Sequence, residues 1–358
     1  MRGFFMFPVL FKDNRVWRAY LGGCGISRLK GTGESADTHF PEDWIASCVE
    51  ANNAQYRKPG HGLSSLADGT LFPEYLKKDL QKTLGREHLV RFGEQPGFLM
   101  KILDSAERLP IQVHPTVADA EKYYNSDHGK TECWVVVSTR QIGGEEPYLL
   151  LGFNDTLDET VFRDDASRGN FSRSENMLHK WNVAPGDVFI VPGGVPHAIG
   201  PGVTVIEVME PSDWVVQPEL FCGEQPLTDS DRFGPLTPEN AVNIFCFEAE
   251  TQTEARKRYC PQPVIKNQTA DFTLSAIVPL EDIKLFEVQQ LNGSGKYLLV
   301  NRERCCRAGV VTEGSFRICT PQGSIEVEPG NSFFLPAAVP ECVITGNGKI
   351  VFALPQYT

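Results

Sequence analysis

The sequence lacks any excess of positive charge. Its 34 Lys and Arg are outnumbered by 46 Asp and Glu, for a formal net charge of −12. A nucleic-acid footprint would need a basic face, so that class of partner is excluded. Small ligands are not, because an anion site needs only a few local cations. No apolar run approaches the roughly 18 to 20 residues a membrane helix requires, so no membrane span is expected. The apolar start, residues 1–11, is short, contains Pro8, is ended by Lys12 and Asp13, and leads to no small-residue cleavage site. It therefore differs from a signal peptide, and a cytoplasmic protein is expected. Ten cysteines include no C-x-x-C pair, which argues against a zinc knuckle or a thioredoxin-type redox motif. Cys133, Cys246, Cys319 and Cys342 lie in apolar runs, where a reduced thiol behaves as a small hydrophobe.

Glycine and proline are plentiful, 32 and 25 residues in a chain of 358, as expected where many short strands are joined by turns. That length suffices for two or three domains. A strand and tight turn are expected over residues 14–23, and a polar, glycine-rich loop over 25–36. Pro41, Glu42 and Asp43 stand at a possible helix start. A helix is expected over 73–84, with Leu76, Leu80 and Leu84 in one stripe, Pro73 in the first turn and Gly85 at the stop. Strands dominate 97–137, broken by a helix over 118–124 behind a Thr116/Asp119 capping box. Another short helix is expected over 155–166. Alternation returns at 181–183 and 203–208. Thr237 and Pro238 then open a helical piece carrying Val242, Ile244 and Phe245. From 271 onward the chain reads as strands, with turns at Asn292-Gly293, Glu313-Gly314 and Asn347-Gly348.

Residues 185–197 and 329–341 repeat one pattern: Pro-Gly, Phe, Pro and Val-Pro recur in register over thirteen positions. Two β-barrels of one design follow. We expect a mainly β fold: residues 1–215 as the first barrel with helical insertions, 216–265 as a helical connection, and 266–358 as the second barrel. Gln112 and His114 stand two apart in an alternating run, which on a strand sends both side chains to one face. With Glu132 and His197 they are read as one metal site inside the first barrel. The second copy carries Glu341 where the first has His197, and no Gln-x-His partner precedes it. The second barrel is thus expected to be metal-free.

Gly186-x5-Pro192-x-Gly194-x2-His197 fits the second motif of the cupin barrels. Gln-Val-His-Pro at 112–115, Gly-Lys-Thr-Glu-Cys-Trp at 129–134 and Val-Pro-x-Gly-x-x-His-Ala at 191–198 resemble the type I phosphomannose isomerases, the zinc-dependent mannose-6-phosphate isomerases of the cupin superfamily. The likeness includes Val16-Trp17-Arg18 near the start. It implies two cupin barrels, a Zn2+ held by Gln112, His114, Glu132 and His197, and exchange of mannose 6-phosphate with fructose 6-phosphate, or of a related sugar, through a cis-enediol. Two imidazoles, a carboxylate and an amide oxygen suit such an ion and leave room for substrate oxygens. The resemblance further implies that Lys130 assists proton transfer or stabilises negative charge and that Glu207 faces the same cavity. Read alone, Lys130 is a solvated turn lysine. Glu207, among valines and an isoleucine, needs a partner or a function. The expected partner is a small sugar or sugar phosphate, and the expected state a monomer or homodimer.

Two residues depart from the family pattern. Gln217 stands where the family has a catalytic-site arginine, and Pro110 where it tends to have a phosphate-contacting serine. A weak isomerase is expected, or one that accepts an unphosphorylated sugar, or one that borrows another cation from a loop, such as Arg173 or Lys180. The alternative is a catalytically weakened cupin that binds a metal or sugar as a sensor or partner subunit. An iron-dependent dioxygenase is disfavoured, because the amide ligand and Lys130 have no evident oxygenase role.

Overall fold

This computed structural model describes residues 6–33 and 36–355. The first five residues of the apolar start lie outside them. Among the described residues no helix is long and apolar enough to cross a membrane.

The fold is mainly β and its paired strands run antiparallel. One six-stranded sheet has the order Arg15–Val16, Glu42–Ile45, Leu99–Asp104, Val203–Met209, Glu132–Thr139, Val188–Val191. A three-stranded sheet, Leu178–Asn182, Tyr148–Phe153 and His197–Ile199, packs against one of its faces. Leu103, Trp134, Val136, Phe189 and Val205 there meet Leu149, Leu151, Trp181 and Ile199 in one apolar layer. Side chains alternate faces along a strand, so Met100, Ile102, Cys133, Val135, Ile206 and Val208 point the other way. They pack on Val278, Val288, Ala308, Val310, Val351 and Ala353 of an eight-stranded sheet. That sheet is built from the C-terminal strands, but its edge strand, Val9–Leu10, comes from near the N-terminus and pairs with Ser332–Leu335.

The same alternation puts polar residues among the inward set. Trp44, Lys101, Glu207, Trp134 and Phe189 form one continuous cross-strand rung. Glu42 lies two residues along from Trp44 and Glu132 two from Trp134, hence on the same inner face. Four charged side chains are thereby collected at one place in an otherwise apolar sandwich.

Several local expectations change. Residues 24–29 form a helix, Cys24–Leu29, rather than loop, because Ile26 is fully buried in the layer between the sheets. Gly25 permits this approach: a Cβ there would lie 2.2 Å from Thr204 Oγ1. Residues 42–45 form a strand, not a helix start, since pairing with Leu99–Asp104 outweighs the local acid and proline signals. The helix expected over 73–84 is two, Phe72–Lys77 and Leu80–Thr83, the second capped afresh by the Asp79 side chain on Lys82 N. The capping box at Thr116 and Asp119 is present over Val117–Tyr124. Residues 155–166 give a helix shifted to Glu159–Arg168, started by Asp158 and stopped by Gly169 in the left-handed region. Thr237 caps Pro238–Val242, which ends before Phe245.

The expected turns at 292–293, 313–314 and 347–348 are instead points inside the long strands Phe286–Val300, Arg307–Thr320 and Glu341–Pro355. Gly293 and Gly314 both pair with Gly348, and all three have positive φ. Backbones meet there too closely for side chains, since a Cβ on Gly348 would lie 2.0 Å from Glu313 O. Gly348→Ala is expected to destabilise the protein by about 2 kcal/mol or more, from backbone strain plus that clash. A urea midpoint unchanged from the parent would contradict this.

Candidate metal centre and its cleft

Residues 105–116 form no strand of their own and carry only isolated bridges. Those bridges nevertheless fix the ligand segment. Gln112 and His197 exchange both backbone hydrogen bonds at 2.9 Å, and Val113 does the same with Val216. Gly194 N donates to His114 O at 2.8 Å, tying the glycine-rich turn before His197 to the same segment. Gly186 and Gly194 take positive φ in that connection, which glycine adopts at no steric cost.

His114, Glu132 and His197 converge so that one donor atom from each lies within 4.8 Å of the others. Each is at most 1% exposed. His114 Nδ1 is 2.9 Å from Trp214 O, and His197 Nδ1 is 2.9 Å from Val195 O. A carbonyl only accepts, so both Nδ1 atoms carry the proton and both Nε2 atoms present a lone pair. His197 Nε2 has no hydrogen-bond partner. Glu132 Oε1 lies 2.6 Å from Lys130 Nζ and 3.0 Å from His114 Nε2, close enough for ion pairing but without hydrogen-bond geometry to either. A buried polar atom left unpaired costs about 1–3 kcal/mol. The unpaired His197 Nε2 and Glu132 Oε1, converging with the lone pair of His114 Nε2, fit a divalent metal ion. Gln112 lines the cleft beside its bridge partner His197.

The titration behaviour agrees with that donor set. Burial and the neighbouring His114 lower the His197 pKa to about 3. Burial and Lys130 lower that of His114. Glu132 is pushed up by burial, but Lys130 and His114 outweigh this and hold it well below the carboxylate range.

Beside the cluster, reached through Lys130, lies a cleft of about 890 Å³, mouth included, lined by Trp17, Arg18, Glu42, Lys101, Lys130 and Glu207 among others. Lys130 is buried, not solvated, with Nζ 2.9 Å from His114 Nε2. Trp134 Nε1 donates to Glu132 Oε2 at 3.1 Å and to Glu207 Oε1 at 3.2 Å. Glu207 Oε2 in turn lies 2.9 Å from Lys101 Nζ, which is 3.6 Å from Glu42. Burial and the Glu132 charge raise the Glu207 pKa, and Lys101 only partly opposes them. Arg18 closes the chain with bonds to Glu42 at 3.0 Å and Asp213 at 2.8 Å.

Glu42 accepts from Arg18, from Tyr20 OH at 2.7 Å and from Trp44 Nε1 at 2.6 Å. Burial raises its pKa, but Arg18 and Lys101 override this and hold it far below the usual range. A carboxyl depressed on folding contributes stability above its unfolded value, about 4.3, and loses it progressively as pH falls below that toward the folded value. Stability is therefore expected to drop between about pH 5 and pH 3, more steeply than in Glu42→Gln. Equal slopes for the two proteins in urea titrations at those pH values would refute the assignment.

Gln217 lines the cleft with its Nε2 donating to Asp231 O at 3.0 Å, and Pro110 lines it too. The loop cations do not reach it. Arg173 is tied to Asp164 and Asp165, and Lys180 lies over the Tyr148 ring at 3.8 Å. Neither borders the cleft, so the expectation that one of them replaces the arginine is corrected. Sequence analysis gave Lys101 and Glu42 no role at the site and noted Arg18 only as part of a motif. A lone cation in the apolar strand Leu99–Asp104 was the available signal for Lys101. In the second half, Arg307 pairs with Leu335 as Glu132 pairs with Val191, and Glu341 takes the place of His197. The Arg307 guanidinium bonds Gln289 at 2.8 Å and Glu303 at 2.9 Å. A cation thus occupies the rung that supplies a metal-directed carboxylate in the first half.

Residues 60–141, which include Gln112, His114, Lys130 and Glu132, match the family model described as phosphomannose isomerase type I, catalytic domain. The probable mannose-6-phosphate isomerase GmuF of Bacillus subtilis (strain 168) is 26% identical over 300 residues, 82% of this chain and 86% of that protein. Mannose-6-phosphate isomerase ManA of the same organism is 34% identical over 134 residues, 36% of this chain and 40% of that one. A crystal structure of mannose 6-phosphate isomerase bound with zinc and yttrium has a TM-score of 0.71 at 15% identity, covering 98% of this chain and 99% of that one. The fold is shared from end to end, and the matched segment delivers two members of the buried cluster. The matched segment and these relatives together support a type I phosphomannose isomerase.

Proposed function

We propose that the protein is a zinc-dependent aldose–ketose isomerase acting on a hexose of the mannose–fructose pair, with the ion held by Gln112, His114, Glu132 and His197. One observation carries the proposal: two neutral imidazole nitrogens and an unbonded carboxylate oxygen converge beside a polar cleft lined by Gln112, Lys130 and Glu207. Zinc suits this set because it has no redox chemistry and accepts mixed nitrogen and oxygen donors. When bound, it would polarise the sugar's carbonyl and lower the cost of the enediolate.

The chain's own residues supply the proton chemistry. The proton leaves C2 of the aldose and returns to C1, through a cis-enediol, while a hydroxyl proton moves between O1 and O2. Glu207 is the group suited to take and return the carbon-bound proton. Burial and Glu132 raise its pKa, and Trp134 and Lys101 fix its orientation. Lys130, beside the cluster, is placed to neutralise negative charge developing on the sugar oxygens. Gln217 offers an amide to the far end of the sugar.

The test is incubation of metal-replete protein with mannose and with mannose 6-phosphate in D2O. Ketose formation with deuterium entering at C1 is expected. Turnover of neither sugar at full metal occupancy would leave the binding-module reading, which Gln217 and Pro110 favour, in its place.

A further inference from the structure

Resting on that isomerase reading, we infer that the substrate is an unphosphorylated hexose. The charges lining the cleft carry the inference. Its cations are Arg18, Lys101 and Lys130, and its acids are Glu42, Glu207, Asp213 and Asp231. Each cation is already paired. Arg18 is held between Asp213 and Glu42, Lys101 between Glu207 and Glu42, and Lys130 lies on Glu132. All three are at most 12% exposed in their side chains.

A hexose in this cleft also meets Asn52, Pro110, Gln217, Ser230 and Asp231 in its lining. A phosphate there would meet a proline without N–H, a neutral amide and a carboxylate. The Asn52 backbone N–H is spent on Asp213 Oδ2 at 2.8 Å. Cations just behind this lining are turned away. Arg108 forks onto Glu219, with both bonds at 2.8 Å. Arg232 covers Pro218 O and pairs with Asp229. The short helix Asp229–Phe233 offers no free end, because Asp231 accepts from Thr228 N at 2.9 Å in its own capping box. A phosphate dianion needs charge-assisted donors that converge, and none converge here. Sugar hydroxyls need only polar donors and acceptors, charged or neutral, which Gln217, Asn52, Ser230 and Asp231 provide.

Two measurements on metal-replete protein test this. In steady-state assays, kcat/KM for free mannose is expected to exceed that for mannose 6-phosphate by about tenfold or more, the scale of one missing charge-assisted contact. In calorimetry, mannitol, which cannot isomerise, is expected to bind at least as tightly as its monophosphate. Gln217→Arg should shift both ratios toward the phosphorylated ligand by about tenfold. A parent protein that prefers the phosphorylated ligand in either experiment overturns the inference, as does a failure to bind mannitol. Turnover of neither sugar would defeat the isomerase reading alone, and the binding ratio would still decide the substrate class.

Discussion

Replacing His197 with alanine is expected to abolish stoichiometric metal binding and to lower kcat/KM by about a thousandfold or more. The cluster is small, and each donor is fixed by its surroundings. His197 receives its orientation from Val195 O, its position from the paired backbone with Gln112, and an edge contact from Trp134 at 5.4 Å between ring centroids. Nothing nearby replaces its Nε2. Removing it leaves one imidazole and one carboxylate of the buried cluster, too few strong donors to hold a divalent ion against solvent. A Lewis acid contributes several kcal/mol to stabilising charge at a carbonyl oxygen, and each 1.4 kcal/mol is roughly a factor of ten in rate. Metal content by mass spectrometry and turnover should fall together, while near-UV circular dichroism stays native, because the change removes only a neutral imidazole and leaves the Glu132–Lys130 pair in place. A variant that keeps full metal and activity would show that the three side chains meet for packing alone.

How far the sequence reaches is visible in this same cluster. Glu132, His114 and His197 were legible because metal donors are few in kind and their motifs are local. The repeat of 185–197 at 329–341 was legible for the same reason, since Pro-Gly turns and phenylalanines keep their spacing. The rung Trp44–Lys101–Glu207–Trp134 was not. It joins four strands far apart in sequence, and only pairing register brings Lys101 between Glu42 and Glu207. Residues 41–45 were misread for a related reason. Proline followed by two acids is a helix-start pattern, yet Glu42 and Trp44 alternate inward on a strand whose longer partner, Leu99–Asp104, lies more than fifty residues on. The glycines at 293, 314 and 348 show the converse limit. Their positive φ is correctly suspected from residue type, but whether such a residue ends a strand or bends one depends on what stands across from it.

Lys101→Met is expected to cost about 3–5 kcal/mol of stability, the range for breaking a buried ion pair from one side. Lys101 is 3% exposed in its side chain, and the two carboxylates it serves, Glu42 and Glu207, are each 5% exposed. Burial lowers the Lys101 pKa, but Glu207 and Glu42 more than reverse this and raise it above its usual value. The ammonium also lies 4.8 Å from the centre of the Trp44 ring. Methionine keeps the volume and most of the packing, so the loss reports charge. Glu42 retains Arg18, Tyr20 and Trp44 as donors; Glu207 retains only Trp134 and faces Glu132 uncompensated. The cost should therefore fall mainly on Glu207. Lys101→Met combined with Glu207→Gln should recover at least about 1 kcal/mol relative to the single variant, a coupling within the range measured for contacting charges. Urea unfolding of the parent, both single variants and the double variant measures it. Additive losses would mean that Lys101 answers to Glu42 and Trp44, and that Glu207 keeps its place in the cleft without a counter-charge.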